Sequence, residues 1–354
     1  GDTNTGDIII QGCHFEECTS SLGGCISSHD GTEQADEETN ITDCIFERCE
    51  ASTLGSCIYS LTYRFYLSNS KFSEQTKGTS MIYLKMNEKV NPLIYNCTFV
   101  NNEINSVSCE VDGTLIMQNC TFREYSTNEL LNPSSMLSKG NESGNIFDGC
   151  IFEDTTKCGV YIESGIHTFN NCIFQNINTE TASKKALYVK TPSEYDNEFA
   201  TIFVNGCTFI NNSGLSQGGA VFINSKTVAS FDNNRFINNH VNPGLFDRAQ
   251  GGSVYIKQFT EPIIFTISNC YFENDSSSGT GGSIYCEFYD ITYSGSSDKM
   301  YDIPIIIDNC QFKKCSSKDR GGAISNGSPS SYSGSSGDTN TGDIIIQGCH
   351  FEEC

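Results

Sequence analysis

Apolar residues recur along this chain in one local frame. Two apolar positions spaced by two lead to a polar bend residue, then a small residue that is nearly always cysteine, any residue, and a phenylalanine. The frame reads IIIQGCHF (8–15), NITDCIF (40–46), FYLSNSKF (65–72), LIYNCTF (93–99), LIMQNCTF (115–122) and NIFDGCIF (145–152). It continues as HTFNNCIF (167–174), IFVNGCTF (202–209), ASFDNNRF (229–236), FTISNCYF (265–272) and IIIDNCQF (305–312), and IIIQGCHF returns at 344–351. Three before the small residue the chain is apolar throughout, from Ile10 and Ile41 to Ile267 and Ile307; one before it stands Asn, Gly or Asp. Period-two spacing on each side predicts two short strands. A single left-handed residue turns the chain between them, since Gly, Asn and Asp tolerate that conformation.

A third alternating stretch follows most frames, often opened by a glycine pair. These stretches are GGCI (23–26), GSCIY (55–59), SMIYL (80–84), CGVYI (158–162), KALYV (185–189), GGAVFI (218–223), GGSVYI (251–256), GGSIYC (281–286) and GGAI (321–324). Units four and five carry only the degenerate VSCEV (107–111) and SMLS (135–138). Three short strands per unit, one residue type per position and no helical period predict an all-β, right-handed parallel β-helix of about 11 coils. Phe15, Phe46, Phe72, Phe99, Phe122, Phe152, Phe174, Phe209, Phe236, Phe272 and Phe312 should form one internal column, and the bend asparagines an amide ladder.

Residues 337–354 repeat residues 1–18 without a change, a period of 336 residues. Verbatim repetition marks an array. The expected organisation is one 11-coil unit, 1–336, with 337–354 beginning the next identical unit of a longer tandem chain.

Composition adds compartment. The chain carries 19 Cys and a formal charge of −22, which disfavours nucleic acid as a partner. No apolar run is long enough for a membrane span. Abundant cysteine suggests an oxidising, extracellular or cell-surface location. N-linked glycosylation acceptors agree, the best being Asn40, Asn141, Asn211, Asn274 and Asn326 in expected turns or loops; at Asn96 and Asn119 the bend ladder should occupy the amide.

FVNN (99–102) and FINN (209–212, 236–239), paired with GGAV, GGSV, GGSI and GGAI, resemble the GGAI/FxxN repeats of the chlamydial polymorphic outer-membrane proteins. That resemblance covers most of the chain and implies a right-handed β-helical surface passenger domain with a role in adhesion. The many C-x-F cysteines depart from it.

Candidate chemistry is sparse. Nine cysteines (Cys13, Cys44, Cys97, Cys120, Cys150, Cys172, Cys207, Cys270, Cys310) sit in the frame and read as small buried hydrophobes. Cys18, Cys25, Cys49 and Cys57 lie outside it and admit two disulfide schemes: Cys18–Cys25 with Cys49–Cys57, or Cys18–Cys49 with Cys25–Cys57. Cys315 could reach Cys354 in the following repeat. With no C-x-x-C and five scattered His, no metal cofactor is expected. GDTNTGD (1–7) is the one calcium candidate, and its order departs from a calcium loop. Tyr161, Tyr188, Phe222, Tyr255 and Tyr285 fall between inward residues of successive third strands and predict an exposed aromatic stripe, fit for lateral contact or sugar stacking. The outward acids Asp148, Asp232 and Asp308 lie on coils too far apart for a paired-carboxylate mechanism, so no catalysis is expected. The reading is a structural subunit of an extracellular filament, its partners copies of itself and N-linked glycans; a surface adhesin or glycan-binding β-helix is the alternative.

Overall fold

The computed structural model describes residues 7–29, 38–86, 90–111, 113–125, 129–131, 144–179, 185–190, 199–223, 227–242, 249–258, 264–288, 304–327 and 343–354. These are all-β, and the strands pair in parallel. The fold is a parallel β-helix. Coils are numbered here by the frame they contain, coil one at Cys13 and coil twelve at Cys349.

The chain divides into two compact units, Gly1–Tyr161 with Gly165–Ile173, and Ile162–Ser164 with Phe174–Cys354. In the first unit the leading strands Ile8–Gln11, Glu38–Thr42, Arg64–Ser68, Leu93–Tyr95, Leu115–Gln118, Gly144–Asp148 and Gly165–Asn170 pair in chain order. The strands bearing phenylalanine do the same from His14–Glu16 to Ile151–Thr155. Third strands stack from Ile26–His29 to Asn105–Val111, so VSCEV is a full member of its sheet. In coil five the third strand is Glu129–Leu131, earlier than SMLS, which lies outside the described residues.

The second unit repeats this plan. Leading strands run from Ala200–Asn205 to Ile344–Gln347, and phenylalanine strands from Thr208–Ile210 to His350–Glu352. Third strands run from Leu187–Val189 to Ile324–Gly327. A short extra strand, not expected from sequence, precedes the third: Ser213–Leu215, His240–Asn242, Ser276–Ser277 and Ser316–Ser317 pair in order.

In-register pairing places ring over ring. Phe15, Phe46, Phe72, Phe99, Phe122 and Phe152 stack with centroids 4.7–5.0 Å apart. In the second unit Phe174, Phe209, Phe236, Phe272, Phe312 and Phe351 stack at 4.6–4.9 Å. Such spacing matches the ~4.8 Å between neighbouring strands, so the column is a consequence of register. The apolar residues three before the frame's small residue, such as Ile41, Leu67, Ile94 and Val204, are buried beside it.

The bend residue is left-handed in each coil, from Gly12 (φ 65°) and Asp43 (φ 56°) to Asn309 (φ 51°), as expected. A second left-handed bend comes four residues after the frame's small residue, at Glu17, Arg48, Glu74, Asn101, Asn211, Asn238, Asn274 and Lys314 among others. Glu, Arg and Lys carry no preference for that conformation, so composition gave no sign of it. Gly251 and Gly252 show what a glycine pair does. The first has φ 68°, and a Cβ on the second would lie 2.0 Å from the carbonyl oxygen of Gly282 in the next coil.

Candidate functional site

The frame cysteines are structural. Each thiol donates to the carbonyl two residues before it, as Cys97 does to Tyr95 at 3.3 Å and Cys310 to Asp308 at 3.3 Å. Most also lie near a carbonyl of the preceding coil, as Cys150 does to Met117 at 3.4 Å. Where the frame has Ser70 or Asn234, the hydroxyl or amide makes stronger versions of these bonds. Ser70 Oγ donates to Ser68 O at 2.8 Å, and Asn234 Nδ2 to Val204 O at 2.8 Å. The position wants a small donor, and a thiol suffices.

A second buried column lies five residues after the first, just past the second bend. Here amide side chains and several thiols donate to the carbonyl of the phenylalanine one coil earlier. Gln75 Nε2 reaches Phe46 O at 3.0 Å, Asn102 reaches Phe72 O at 3.2 Å, Asn212 reaches Phe174 O at 2.9 Å and Asn239 reaches Phe209 O at 2.9 Å. The thiols of Cys49, Cys315 and Cys354 stand on Phe15 O, Phe272 O and Phe312 O at 3.4–3.7 Å. Side-chain oxygens in turn accept a backbone N–H from that same earlier coil, as Asn239 Oδ1 does from Asn212 N at 3.0 Å. Thus the amide ladder expected at the bend runs inside the coil as well. At the bend itself it is exposed and partial: Asn96 Nδ2 donates to Asn69 Oδ1 at 2.8 Å, and Asn309 Nδ2 to Asn269 Oδ1 at 2.7 Å.

Asp275 occupies this internal column with a carboxyl. It is fully buried, and its Oδ2 faces the hydroxyls of Ser253 and Ser283 without a well-formed hydrogen bond. Burial raises its pKa to about 7.

Cys18, Cys25, Cys49 and Cys57 form one cluster. The Sγ atoms of Cys18, Cys25 and Cys49 lie within 4.8 Å of one another. Cys57 stands in register beside Cys25, outside that mutual group, and its thiol lies 3.7 Å from Ser56 Oγ. Proximity of Cys25, then of Cys57, pushes the Cys49 thiol far down, and proximity of Cys49, then of Cys57, pushes Cys25 up. All are thiols in the structure, as are Cys315 and Cys354. Absence of a C-x-x-C hid this cluster: its ligand-bearing atoms meet because coils stack, and the spacing between them is a coil length.

The aromatic stripe is corrected. Tyr188, Phe222, Tyr255 and Tyr285 are 0–8% exposed, and Tyr161 is half-buried. Three of the rings lie face to face along the sheet in the second unit, Phe222 on Tyr255 at 5.2 Å and Tyr255 on Tyr285 at 5.7 Å, and Tyr188 is tilted against Phe222. Glycines close over them, the corner Gly218 against the Tyr255 Cβ and the strand-end Gly327 against the Tyr285 hydroxyl. Gln217 Nε2 donates to the Tyr255 hydroxyl at 2.8 Å. The alternation is right, but stacked neighbours and corners take the surface that a sugar would need.

Among the expected acceptors, Asn211 and Asn274 are exposed at the second bend and Asn326 is exposed on the strand Ile324–Gly327. Asn40 is corrected: it lies within the strand Glu38–Thr42 and is half-buried, because the turn expected there falls at Asp43. Asn141 and most of GDTNTGD lie outside the described residues. The outward acids serve as acceptors for bend amides: Asp148 for Asn171 at 3.2 Å, Asp232 for Asn269 at 2.7 Å. Arg48 is ringed by Glu16, Glu17, Glu47 and Glu74 on the first three coils, an exposed ionic clasp. Among the described residues no helix is long and apolar enough to cross a membrane. Comparison with protein-family models, with curated proteins and with solved structures finds no match.

Proposed function

We propose that this chain is a structural segment of an extracellular filament, built from end-to-end β-helical repeats and carrying N-linked glycans at exposed bends. One observation carries the reading. Coil twelve, whose residues repeat the first 18 of the chain verbatim, docks in register on coil eleven: Ile307 pairs with Ile346, Phe312 with Phe351. The same residues in coil one pair with coil two through their other edge, Ile10 with Ile41 and Phe15 with Phe46. One short sequence therefore accepts a coil on either side, which is what a seamless join between repeats requires. Pairing of this kind also covers sheet edges that would otherwise be open. The acidic surface, at a formal charge of −22, keeps neighbouring filaments apart.

A chain lengthened by one full repeat tests this by electron microscopy beside the present chain. Eleven added coils should lengthen the particle by roughly 53 Å at ~4.8 Å per coil, with constant width and no gap at the junction. Two beads joined by a flexible tether would defeat the proposal.

A further inference from the structure

Coil one supplies Cys18 and Cys25; coil two supplies Cys49 and Cys57. Parallel pairing sets them in two rows. Thr19 is in register with Glu50, which puts Cys18 beside Cys49; Ile26 is in register with Ile58, and Cys25 N donates to Cys57 O at 3.1 Å. Within each coil the two cysteines flank a short strand and its glycine corner, Thr19–Leu22 with Gly23 in coil one and Glu50–Leu54 with Gly55 in coil two. The side chains of both rows converge inside that corner.

The cluster does not divide into pairs. Cys18, Cys25 and Cys49 lie within 4.8 Å of one another, and Cys57 stands in register beside Cys25 on the neighbouring coil. A disulfide needs one partner, a Cβ separation near 3.8 Å and a dihedral near 90°. Stacked residues in parallel register have nearly parallel Cα–Cβ bonds ~4.8 Å apart, a poor start for bridging Cys18 to Cys49 or Cys25 to Cys57. Three sulfurs gathered within 4.8 Å, with the Cys57 thiol on the adjacent row to complete the set, suit a tetrahedral ion instead. At a Zn–S distance of about 2.3 Å the sulfurs stand about 3.8 Å apart, a contraction that side-chain rotation in the present cluster can supply. Cys49 and Cys57 are fully buried while Cys18 and Cys25 are half-buried, so the site has a closed floor and an open side for entry. The frame cysteines differ, forming a single file on carbonyls; among the described residues no other group of metal-ligating side chains gathers this closely.

We propose that Cys18, Cys25, Cys49 and Cys57 form a tetrathiolate site for Zn²⁺, a structural ion that clamps coil one to coil two. Binding forms four Zn–S bonds and releases the thiol protons to solvent, with no change of oxidation state. The spacing C-x6-C-x23-C-x7-C is set by the coil period rather than by a local knuckle. The inference rests on this geometry alone and stands apart from the filament reading.

The chain purified under reducing conditions with Zn²⁺, then desalted, should retain one zinc per chain by elemental analysis. Co²⁺ in its place should give the thiolate-to-cobalt charge-transfer absorption and the intense visible bands of a tetrahedral sulfur site. Cys49→Ser should abolish both, and Cys97→Ser, in the frame column, should leave both unchanged. Should Cys49→Ser fail to fold, the stoichiometry and cobalt spectrum of the unaltered chain decide. Less than a tenth of an equivalent of zinc, an octahedral cobalt spectrum, or metal content unaffected by Cys49→Ser would overturn the site. So would an intact mass four hydrogens light, with peptides joined between these cysteines, in protein isolated without reductant.

Discussion

Asn239 donates its backbone N–H to Asp275 Oδ1 at 2.9 Å, and in doing so hands the internal ladder from an amide to an acid. Every other polar member named above gives a proton to the phenylalanine carbonyl one coil earlier. By the pairing of Phe272 with Phe236, the carbonyl due to Asp275 is that of Phe236. An ionised carboxylate has no proton to give, and none of its charge reaches water.

Stability should therefore depend on pH through Asp275. Its pKa is raised from 3.8 to about 7 by burial, so the folded state holds a proton that the unfolded state has lost. The contribution is complete below pH about 4 and is lost as pH rises toward 7 and above. The full span corresponds to roughly 4 kcal/mol. Asp275→Asn, which restores the donor, should raise the unfolding midpoint at pH 8 and hardly move it at pH 4. Thermal denaturation at the two pH values checks it; equal shifts would refute the assignment.

Phe209 lies between Phe174 at 4.6 Å and Phe236 at 4.8 Å and is fully buried. Phe209→Ala removes two ring contacts at once and should cost about 3–5 kcal/mol. Phe209→Leu, nearer in volume, should cost less, about 1.5 kcal/mol. Urea titration of the three chains gives the order.

Gly252 has no room for a methyl group: its Cβ would stand 2.0 Å from Gly282 O and 2.6 Å from Ser276 O. Gly252→Ala must push coils nine and ten apart, with an overpacking cost of about 1–3 kcal/mol. At Gly12 the same change meets nothing within 4 Å, and only the φ of 65° opposes it. Amide exchange should therefore quicken around residues 251–256 and 281–286 in Gly252→Ala, and stay near the native rate there in Gly12→Ala.

Glycan occupancy should follow amide availability. Asn274 and Asn326 are exposed at a bend and a strand end, whereas the Asn96 amide is spent on Asn69. Expression in glycosylating cells followed by peptide mass spectrometry should find glycan at Asn274 and Asn326 and none at Asn96. The Asn69→Ala variant, which frees the Asn96 amide, should raise occupancy there.

Asn102, Asn212 and Asn239 show where legibility in the sequence stopped. Each is the second Asn of an FxNN motif visible in the sequence, but nothing in the motif said that this Asn is buried while its neighbour is exposed and left-handed. The difference arises because the second bend turns one side chain into the coil, within reach of the carbonyl of the previous coil's phenylalanine.

Alternation of apolar residues, left-handed bend types and an invariant phenylalanine interval determined the strands, the first bend, the internal column and the parallel fold. Those features are local, and a two-residue period states them directly. What the third dimension decided is everything that depends on the neighbour one coil away. Stacking buried Tyr255 and Tyr285, which alternation alone had pointed outward; it bent Glu17 and Arg48 into an unfavoured conformation; and it gathered four cysteines from two coils into one corner. Residues some thirty positions apart become adjacent at strand spacing, and no spacing rule read along one coil can see across that gap.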